Sequence, residues 1–188
     1  NLIYLFLATL ILWGSVWLRA LRWKWLFKKM ESPSISSLYR NELIGYFGNN
    51  VLPLRLGELL RAYLVGKEWG FSTSFVFGTI VLERLLDGLS LAFLAVLLLL
   101  VYPMEDPTKD FVTWGIYISI ILVSLTLFFL NKVKSIQGNH PIFNLINSVI
   151  DGLLSIRKEV LIPVILSSLI IWSIYWLNVY LIQLAFQF

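Results

Sequence analysis

The chain has no cysteine and only one histidine, and both facts restrict its chemistry. Without cysteine, disulfide bonds and thiolate chemistry are excluded. The histidine, His140, lies in the turn-like sequence Asn139-His140-Pro141, whereas imidazole metal ligands usually come in clusters. We therefore predict a structural loop histidine, no metal site and no cofactor.

Charged residues are also scarce in this sequence. They make up 14% of the 188 residues, against about 25% in a typical soluble domain, and hydrophobic residues make up 59%. The net charge of +4 does not indicate a nucleic-acid partner, because the positive residues flank apolar runs and form no stripe on a polar face. This composition predicts an all-α integral membrane protein.

Four apolar runs have the length that a helix needs to cross a bilayer, the first of them only just. They cover residues 2–18, 76–102, 111–130 and 160–188. We expect residues 1–188 to form a single domain, a polytopic transmembrane helical bundle.

Basic residues set the expected orientation of these spans. Five of them lie at positions 19–29, after the first run, and Lys132 and Lys134 follow the third run. The connection between the second and third runs, residues 103–107, is acidic and rich in proline. We predict a multi-pass membrane protein with the N-terminus outside and residues 19–37 and 131–159 in the cytoplasm.

The segment 142–158 is amphipathic and too polar to cross the membrane. Its apolar side chains, among them Leu145 and Val149, share one helical face, and Asn147 and Asp151 lie on the opposite face. These features predict a helix that lies on the cytoplasmic surface of the membrane.

The segment 39–66 must enter and leave the membrane on the same side if the other spans are counted correctly. A single crossing there would place Lys132 and Lys134 outside. We therefore predict a re-entrant hairpin made of two short half-helices. Irregular backbone is tolerated at membrane depth only where it is buried in protein or lines a wet cavity, so the hairpin also predicts a cavity.

The predicted break between the half-helices lies at Gly48-Asn49-Asn50. With Asn50 as the N-cap of the second half-helix, Pro53 would fall in its first turn, where the missing N–H costs nothing. The free N–H groups of that helix would then face into the membrane and offer an anion site. The expected hinge residues are Gly45, Gly48, Pro53 and Gly57.

Three charged residues follow this break at three-residue steps: Arg55, Glu58 and Arg61. We expect them to form one slanting stripe, in which Arg55 closes on a phosphate and Glu58 neutralises Arg61 or receives a cationic group. The alternative is that both arginines extend to the headgroups and Glu58 pairs with one of them. Charges this deep in an apolar sequence favour the functional interpretation.

A second charged cluster, Glu83, Arg84 and Asp87, lies inside the second apolar run. On a helix Glu83 and Asp87 share a face, and Arg84 can pair with Asp87. The cluster could bind a ligand, or it could be an internal ion pair that locks this helix to the hairpin. Both interpretations stay open at this point.

Three motifs make the chain resemble the transmembrane region of lysylphosphatidylglycerol synthases, a flippase-like family of integral membrane domains. They are Arg19-x-x-Arg22-Trp23, the segment GYFGNNVLPLRLGELLRA at residues 45–62, and Glu83-Arg84-Leu85-Leu86-Asp87. The middle motif is long and specific. The motifs lie within residues 1–90, and the later spans match the family only in hydropathy.

The resemblance implies a multi-pass protein of the inner membrane. Some family members translocate aminoacylated phosphatidylglycerol between leaflets, and others accompany glycolipid or polyprenol-phosphate pathways. Members are usually longer, with another glycine-rich break in a second half, so we expect this chain to correspond to the N-terminal half and assign no lipid synthesis to it. By the resemblance, the residues lining a lipid-headgroup cavity would be Asn50, Arg55, Glu58, Arg61, Arg84 and Asp87.

The leading hypothesis is a membrane lipid translocase or a headgroup-binding module for an anionic or aminoacylated phospholipid. Its partner would be a membrane phospholipid and not a nucleic acid, and both a homo-oligomer and a separate second half or partner domain are left open. The candidate headgroup-binding residues are Asn49, Asn50, Arg55, Glu58, Arg61, Glu83, Arg84 and Asp87.

Two other functions are left open by the sequence. One is an intramembrane enzyme that acts on a lipid phosphate or glycosyl phosphate, with Glu83 and Asp87 holding a divalent metal or with one of them as general base. The other is a structural membrane subunit, in which the charges hold helices together.

Overall fold

The computed structural model describes residues 1–27, 32–102, 105–133 and 141–186, and the regular structure in these ranges is entirely helical. This confirms the predicted all-α fold. Predictions that concern Lys28, Lys29, Pro103, Met104, Lys134 and His140 fall outside the described residues. The helices are α1 (Leu2–Trp25), α2 (Ile35–Val51), α3 (Gly57–Trp69), α4 (Thr73–Val101), α5 (Asp106–Val133), α6 (Pro141–Leu153) and α7 (Lys158–Phe186).

Within the described residues, four helices are long and apolar enough to cross a membrane: α1, α4, α5 and α7. They correspond to the four predicted spans, with bounds that differ by a few residues. The largest difference is in α1, which continues to Trp25 although its apolar run ends at residue 18. In this additional segment Arg19 and Arg22 are buried against carboxylates of α4, as described below.

Helices α1 and α7 pack antiparallel along their whole lengths. The N-terminal amine donates to the carbonyl of Ala185, and Asn178 Nδ2 donates to the carbonyl of Ala8 at 2.6 Å. Helix α4 lies beside both of them and also contacts α3, α5 and α6. The core cluster gathers buried side chains from α1, α2, α3, α4 and α7, among them Trp23, Leu38, Val65, Ile80 and Val164.

Helices α2 and α3 form an antiparallel hairpin in which the two backbones touch. A Cβ on Gly48 would lie 2.9 Å from the Cα of Gly57, and a Cβ on Gly57 would collide with the carbonyl oxygen of Gly45. Glycine is therefore required where the two helices meet. This agrees with the predicted pair of short helices, and whether the hairpin enters the bilayer stays a prediction.

The break in the hairpin lies later in the chain than the sequence predicts. Helix α2 runs through Gly48, Asn49 and Asn50, and Asn50 Nδ2 donates to the Tyr46 carbonyl at 2.8 Å. The predicted break at these residues and the role of Asn50 as an N-cap are therefore wrong. Helix α2 ends because Leu52 precedes a proline and is extended, as such residues prefer to be.

The tip of the hairpin is the segment Leu52–Leu56, which contains a short 3-10 turn at Pro53–Arg55. Helix α3 begins only at Gly57, so Pro53 does not lie in its first turn as predicted, and its N-cap residue makes no side-chain hydrogen bond. Every residue of the tip is exposed, and Leu54 and Arg55 have positive φ angles of 56° and 57°. Non-glycine residues rarely adopt this conformation, so the tip is strained.

Helix α6 crosses the first turns of α4 at a second close backbone contact. A Cβ on Gly78 would collide with the Val149 carbonyl, and a Cβ on Gly152 would collide with the Phe75 carbonyl. Helix α6 ends at Leu153, five residues before the predicted end at 158. Its position on the cytoplasmic membrane surface stays a prediction.

Candidate functional site

Eight charged side chains from α1, α2, α3 and α4 are joined by salt bridges into one set, which we name the ion network. Six of them, all except Glu58 and Arg84, are at most 5% exposed. The four arginines and four carboxylates cancel in formal charge. The members of the ion network are Arg19, Arg22, Glu42, Glu58, Arg61, Glu83, Arg84 and Asp87.

Asp87 is the residue of the network with the most arginine contacts. Its Oδ1 accepts from Arg22 at 2.7 Å, and its Oδ2 accepts from Arg19 at 3.2 Å and from Arg84 at 3.4 Å. The predicted pairing of Arg84 with Asp87 is confirmed. The Asp87 carboxylate thus bonds α4 to two successive turns of α1.

Glu83 connects α4 to the hairpin. Its Oε2 accepts from Arg61 at 2.7 Å, and its Oε1 accepts from Arg22 at 3.4 Å. Arg61 also forms a salt bridge with Glu42 of α2, and its guanidinium carbon lies 4.3 Å from the centre of the Trp23 ring. The structure therefore contains the internal ion pair between α4 and the hairpin that the sequence left open as one interpretation of this cluster.

Helix α7 contributes uncharged hydrogen-bonding groups to the same place. The Ser168 hydroxyl accepts from Arg22 at 2.8 Å, and the Tyr175 hydroxyl accepts from Arg19 at 2.8 Å. Arg19 also lies 5.4 Å from the centre of the Tyr175 ring. Five helices therefore meet at the ion network.

One edge of the ion network is accessible. Arg84 donates to Glu58 at 2.7 Å, and their side chains are 38% and 30% exposed. Arg84 also reaches Asp87, so this edge is directly bonded to the buried part. An exposed ion pair contributes little stability and can exchange partners with a charged ligand.

Asp87, where most bonds of the ion network meet, lies at the middle of a membrane-length helix. Helix α4 has 29 residues, which is about 43 Å, and Asp87 lies about 21 Å along it. Charges at such a depth are costly and are tolerated when they pair with one another inside the bundle. Each carboxylate oxygen of Glu83 and Asp87 accepts a hydrogen bond from an arginine.

The predicted site residues divide into two groups. Five of them, Glu58, Arg61, Glu83, Arg84 and Asp87, belong to the ion network. The other three, Asn49, Asn50 and Arg55, lie on or next to the hairpin tip and make no salt bridge among the described residues.

The predicted stripe of Arg55, Glu58 and Arg61 is not formed. Arg55 lies in the strained tip, two residues before α3 begins. It therefore does not share a helical face with Glu58 and Arg61. Glu58 pairs with Arg84 and not with Arg61. The half-helix N-terminus likewise lacks the Asn50 cap on which the predicted anion site depends.

Three members of the ion network were not expected from the sequence: Arg19, Arg22 and Glu42. The positive-inside pattern assigns the two arginines to the cytoplasmic segment 19–37, but both lie inside the bundle. The spacing of the charged residues is the sequence feature that could have indicated this pairing. The arginines are three residues apart on α1, and the carboxylates are four residues apart on the antiparallel α4. Orientation of the spans stays a prediction.

A cavity of about 320 Å³ with a mostly apolar wall lies between α1, α2 and α7, and we name it the polar cavity after the three polar residues that line it, Tyr46, Asn50 and Tyr175. It reaches Tyr175, the hydrogen-bond partner of Arg19, and the last turn of α2 at Asn50. The Tyr46 hydroxyl in its wall is buried and has no hydrogen-bond partner among the described residues. The lining residues are Leu12, Trp13, Val16, Leu43, Tyr46, Asn50 and Tyr175.

No group of three or more histidine, cysteine, aspartate or glutamate side chains in the described ranges is arranged to hold a metal ion. The oxygens of Glu83 and Asp87, which the sequence leaves open as metal ligands, are engaged by arginines instead.

Four membrane-length helices, three of which (α1, α4 and α7) meet at a charge-balanced ion network, define a multi-pass helical membrane protein. The chain belongs to the family of the lysylphosphatidylglycerol synthase TM region, whose model matches residues 1–188. The resemblance noted in the sequence is thus confirmed. The family match extends beyond the three motifs of residues 1–90 and covers the later spans as well.

The chain is also similar to UPF0104 membrane protein MJ1078 of Methanocaldococcus jannaschii. The two are 29% identical over 143 residues, which is 74% of this chain and 61% of that protein. The chain therefore spans about three fifths of the length of this curated relative. No solved structure matches the chain.

Proposed function

We propose that the chain is a membrane lipid translocase of the flippase-like kind, or the headgroup-binding module of one, for an anionic or aminoacylated phospholipid. The observation that carries the proposal is the polar cavity, which lies between α1, α7 and the hairpin and is joined to the ion network by the hydrogen bond from Arg19 to Tyr175. A lipid headgroup that leaves the membrane surface needs hydrogen-bonding groups such as those of Tyr46, Asn50 and Tyr175, because hydrocarbon offers it no hydrogen bonds.

Arg55 is the residue we propose for the first contact with the lipid phosphate. It lies on the exposed hairpin tip and makes no salt bridge among the described residues, so its guanidinium is available for a bidentate bond. The tip begins two residues after Asn50, which lines the polar cavity. A headgroup bound at Arg55 would therefore be close to the chamber.

The accessible pair Glu58–Arg84 is proposed to take over a charged headgroup. Glu58 would receive an ammonium group, as on an aminoacylated lipid, and Arg84 would remain neutralised by Asp87. Such an exchange keeps every buried charge paired, which is the condition for moving a charge through the membrane interior. Asn49 and Asn50 would offer amide groups to the same headgroup.

Native mass spectrometry of the purified protein tests this proposal. Wild type in a mixture of phosphatidylglycerol and phosphatidylcholine is expected to retain the anionic lipid preferentially, and Arg55→Ala is expected to lose that preference. Lys109→Ala is the matched control, because Lys109 is an exposed cation at the start of α5, outside the proposed site. Equal retention of both lipids by wild type, or an unchanged preference in Arg55→Ala, would sink the proposal.

A structural role for the buried part of the network is the second candidate. The observation that favours it is the complete pairing of Glu83 and Asp87, which joins α1, α3 and α4. If this were the whole function, substitutions in the network would lower stability, and no lipid would be enriched in the wild-type protein.

A further inference from the structure

A second cavity, different in chemistry from the polar cavity, lies between α4, α5 and α7. Its volume is about 550 Å³, within the range of ligand pockets, and we name it the apolar groove. Its walls are almost wholly hydrocarbon: Leu94, Leu98 and Val101 from α4, Val112 from α5, and Trp176 and Val179 from α7 are among the lining residues.

The dimensions of the apolar groove fit half of a bilayer. On α4 its lining extends from Leu91 to Val101, a rise of about 15 Å. The hydrocarbon core of a membrane is about 30 Å thick, so this length equals the depth of one leaflet. All three helices that form the groove are membrane-length helices, so its surroundings are lipid chains.

One polar atom in the groove wall lacks a partner. The Trp172 Nε1 is buried, and no group among the described residues accepts its hydrogen. A buried indole N–H normally finds an acceptor, because leaving it unpaired costs free energy. A residue that lines the groove thus carries an unsatisfied hydrogen-bond donor, and the hydroxyl-bearing Ser173 and Tyr175 line the groove beside it.

The apolar groove and the polar cavity share one residue, Tyr175, which lines both. Trp172 lies one turn before Tyr175, and the two rings meet edge to face with centroids 5.8 Å apart. The unpaired donor is therefore at the end of the groove that adjoins the polar cavity and Arg19. A molecule that is polar at one end and apolar along its length fits both spaces at once.

We propose that the apolar groove holds one acyl chain of a membrane phospholipid, with Trp172 Nε1 donating to an oxygen that links the chain to glycerol. This rests on the proposed function in one respect, since the headgroup of the same lipid would occupy the polar cavity. The affinity comes from close packing and one hydrogen bond, because lipid tails gain no hydrophobic free energy by moving from a bilayer into protein.

Photolabelling with a lipid of neutral headgroup tests the groove separately from headgroup selection. The full chain is reconstituted in nanodiscs of phosphatidylcholine that carry a diazirine in the middle of one acyl chain, and labelled peptides are mapped by mass spectrometry. We expect the label to concentrate in residues 91–101 and 172–179. Labelling spread evenly over these segments and the exposed face of α5 around Ile121 would overturn the proposal.

Two groove variants and one control make the test specific. Leu98→Trp and the milder Ala95→Leu fill the groove and are expected to remove most of the labelling there, whereas Ile121→Trp, on the lipid-facing side of α5, is expected to leave it unchanged. Trp172→Phe keeps the ring and removes the donor, so labelling is expected to fall about fivefold, the equivalent of one hydrogen bond. Unchanged labelling in the filled variants would contradict the groove assignment.

The two proposals fail in different ways. Equal retention of anionic and neutral lipid by wild type, together with localised groove labelling, would reject the proposed function and support the acyl-chain site. Normal headgroup preference with unlocalised labelling would reject the acyl-chain site alone.

Discussion

Replacing Asp87 with asparagine perturbs the ion network where most of its bonds meet. The Asp87 carboxylate accepts from Arg22 at 2.7 Å, Arg19 at 3.2 Å and Arg84 at 3.4 Å. Asparagine keeps the size of the side chain and one acceptor oxygen but removes the negative charge. The network then changes from neutral to a formal charge of +1, with Arg19 and Arg22 at most 4% exposed.

The expected loss follows from the uncompensated charge and not from the number of bonds. Removing one partner of a buried ion pair typically costs about 3–5 kcal/mol. Single polar contacts between membrane helices are weaker, about 0.6 kcal/mol on average, because the unfolded chain in a membrane also finds partners. We therefore expect Asp87→Asn to lower the free energy of unfolding by about 3 kcal/mol, at the lower end of the buried-pair range.

Equilibrium unfolding in mixed micelles, followed by tryptophan fluorescence, measures this change. The matched control is Glu68→Gln, because the Arg40–Glu68 pair is equally close at 2.8 Å but has side chains 63% and 36% exposed. An exposed pair contributes at most about 1 kcal/mol. Equal effects of the two substitutions would refute the reasoning that burial makes the network critical.

A double variant separates charge balance from bond loss. Adding Arg22→Gln to Asp87→Asn restores neutrality, so the double variant is expected to be more stable than the sum of the single effects predicts. Neighbours in one network typically couple by about 0.5–3 kcal/mol. Strict additivity would show that the residues act independently.

The glycine contacts and the strained tip give three further predictions. Gly57→Ala, which sets a Cβ against the backbone of α2, is expected to lower the free energy of unfolding by about 1–3 kcal/mol, whereas Gly88→Ala, with open space around it, is expected not to lower it. Gly152→Ala should loosen α6 from α4, seen as faster proteolysis within α6. Leu54→Gly relieves a left-handed residue and should raise stability by about 1 kcal/mol in the same unfolding assay; an unchanged midpoint would argue against strain at the tip.

The helical architecture could be predicted because it depends on local properties of the sequence. Span length and hydropathy located α1, α4, α5 and α7, and the need to return to the same side of the membrane indicated the α2–α3 hairpin. The close contacts at Gly48, Gly57, Gly78 and Gly152 could not be predicted individually, because they depend on which helices meet and where.

The position of the hairpin break shows one limit of local reasoning. Glycine and asparagine at positions 48–50 are typical of a turn, yet they lie inside α2, where Gly48 serves the contact with α3. The proline at position 53 was the stronger signal, since it restricts the residue before it and ends the helix.

The composition of the ion network shows a second limit. Arg19 and Arg22 follow an apolar run, as cytoplasmic basic residues do, and only the arrival of α4 beside α1 makes them buried partners of Asp87. Glu83, Arg84 and Asp87 could be identified as candidate site residues because they lie inside an apolar run, where the end of a span does not account for their charge. Of the three residues that sequence reasoning missed, the two arginines had a charge with a local explanation.

The most direct test of the account is transbilayer movement of lipid in vesicles that contain the purified protein. Fluorescent phosphatidylglycerol and phosphatidylcholine probes are compared for wild type, Arg55→Ala and the control Lys109→Ala, with a membrane-impermeant quencher reporting the outer leaflet. The account predicts that wild type and Lys109→Ala move the anionic probe faster than the neutral one and that Arg55→Ala abolishes the difference. Equal movement of both probes in wild type, at the rate of protein-free vesicles, would contradict it.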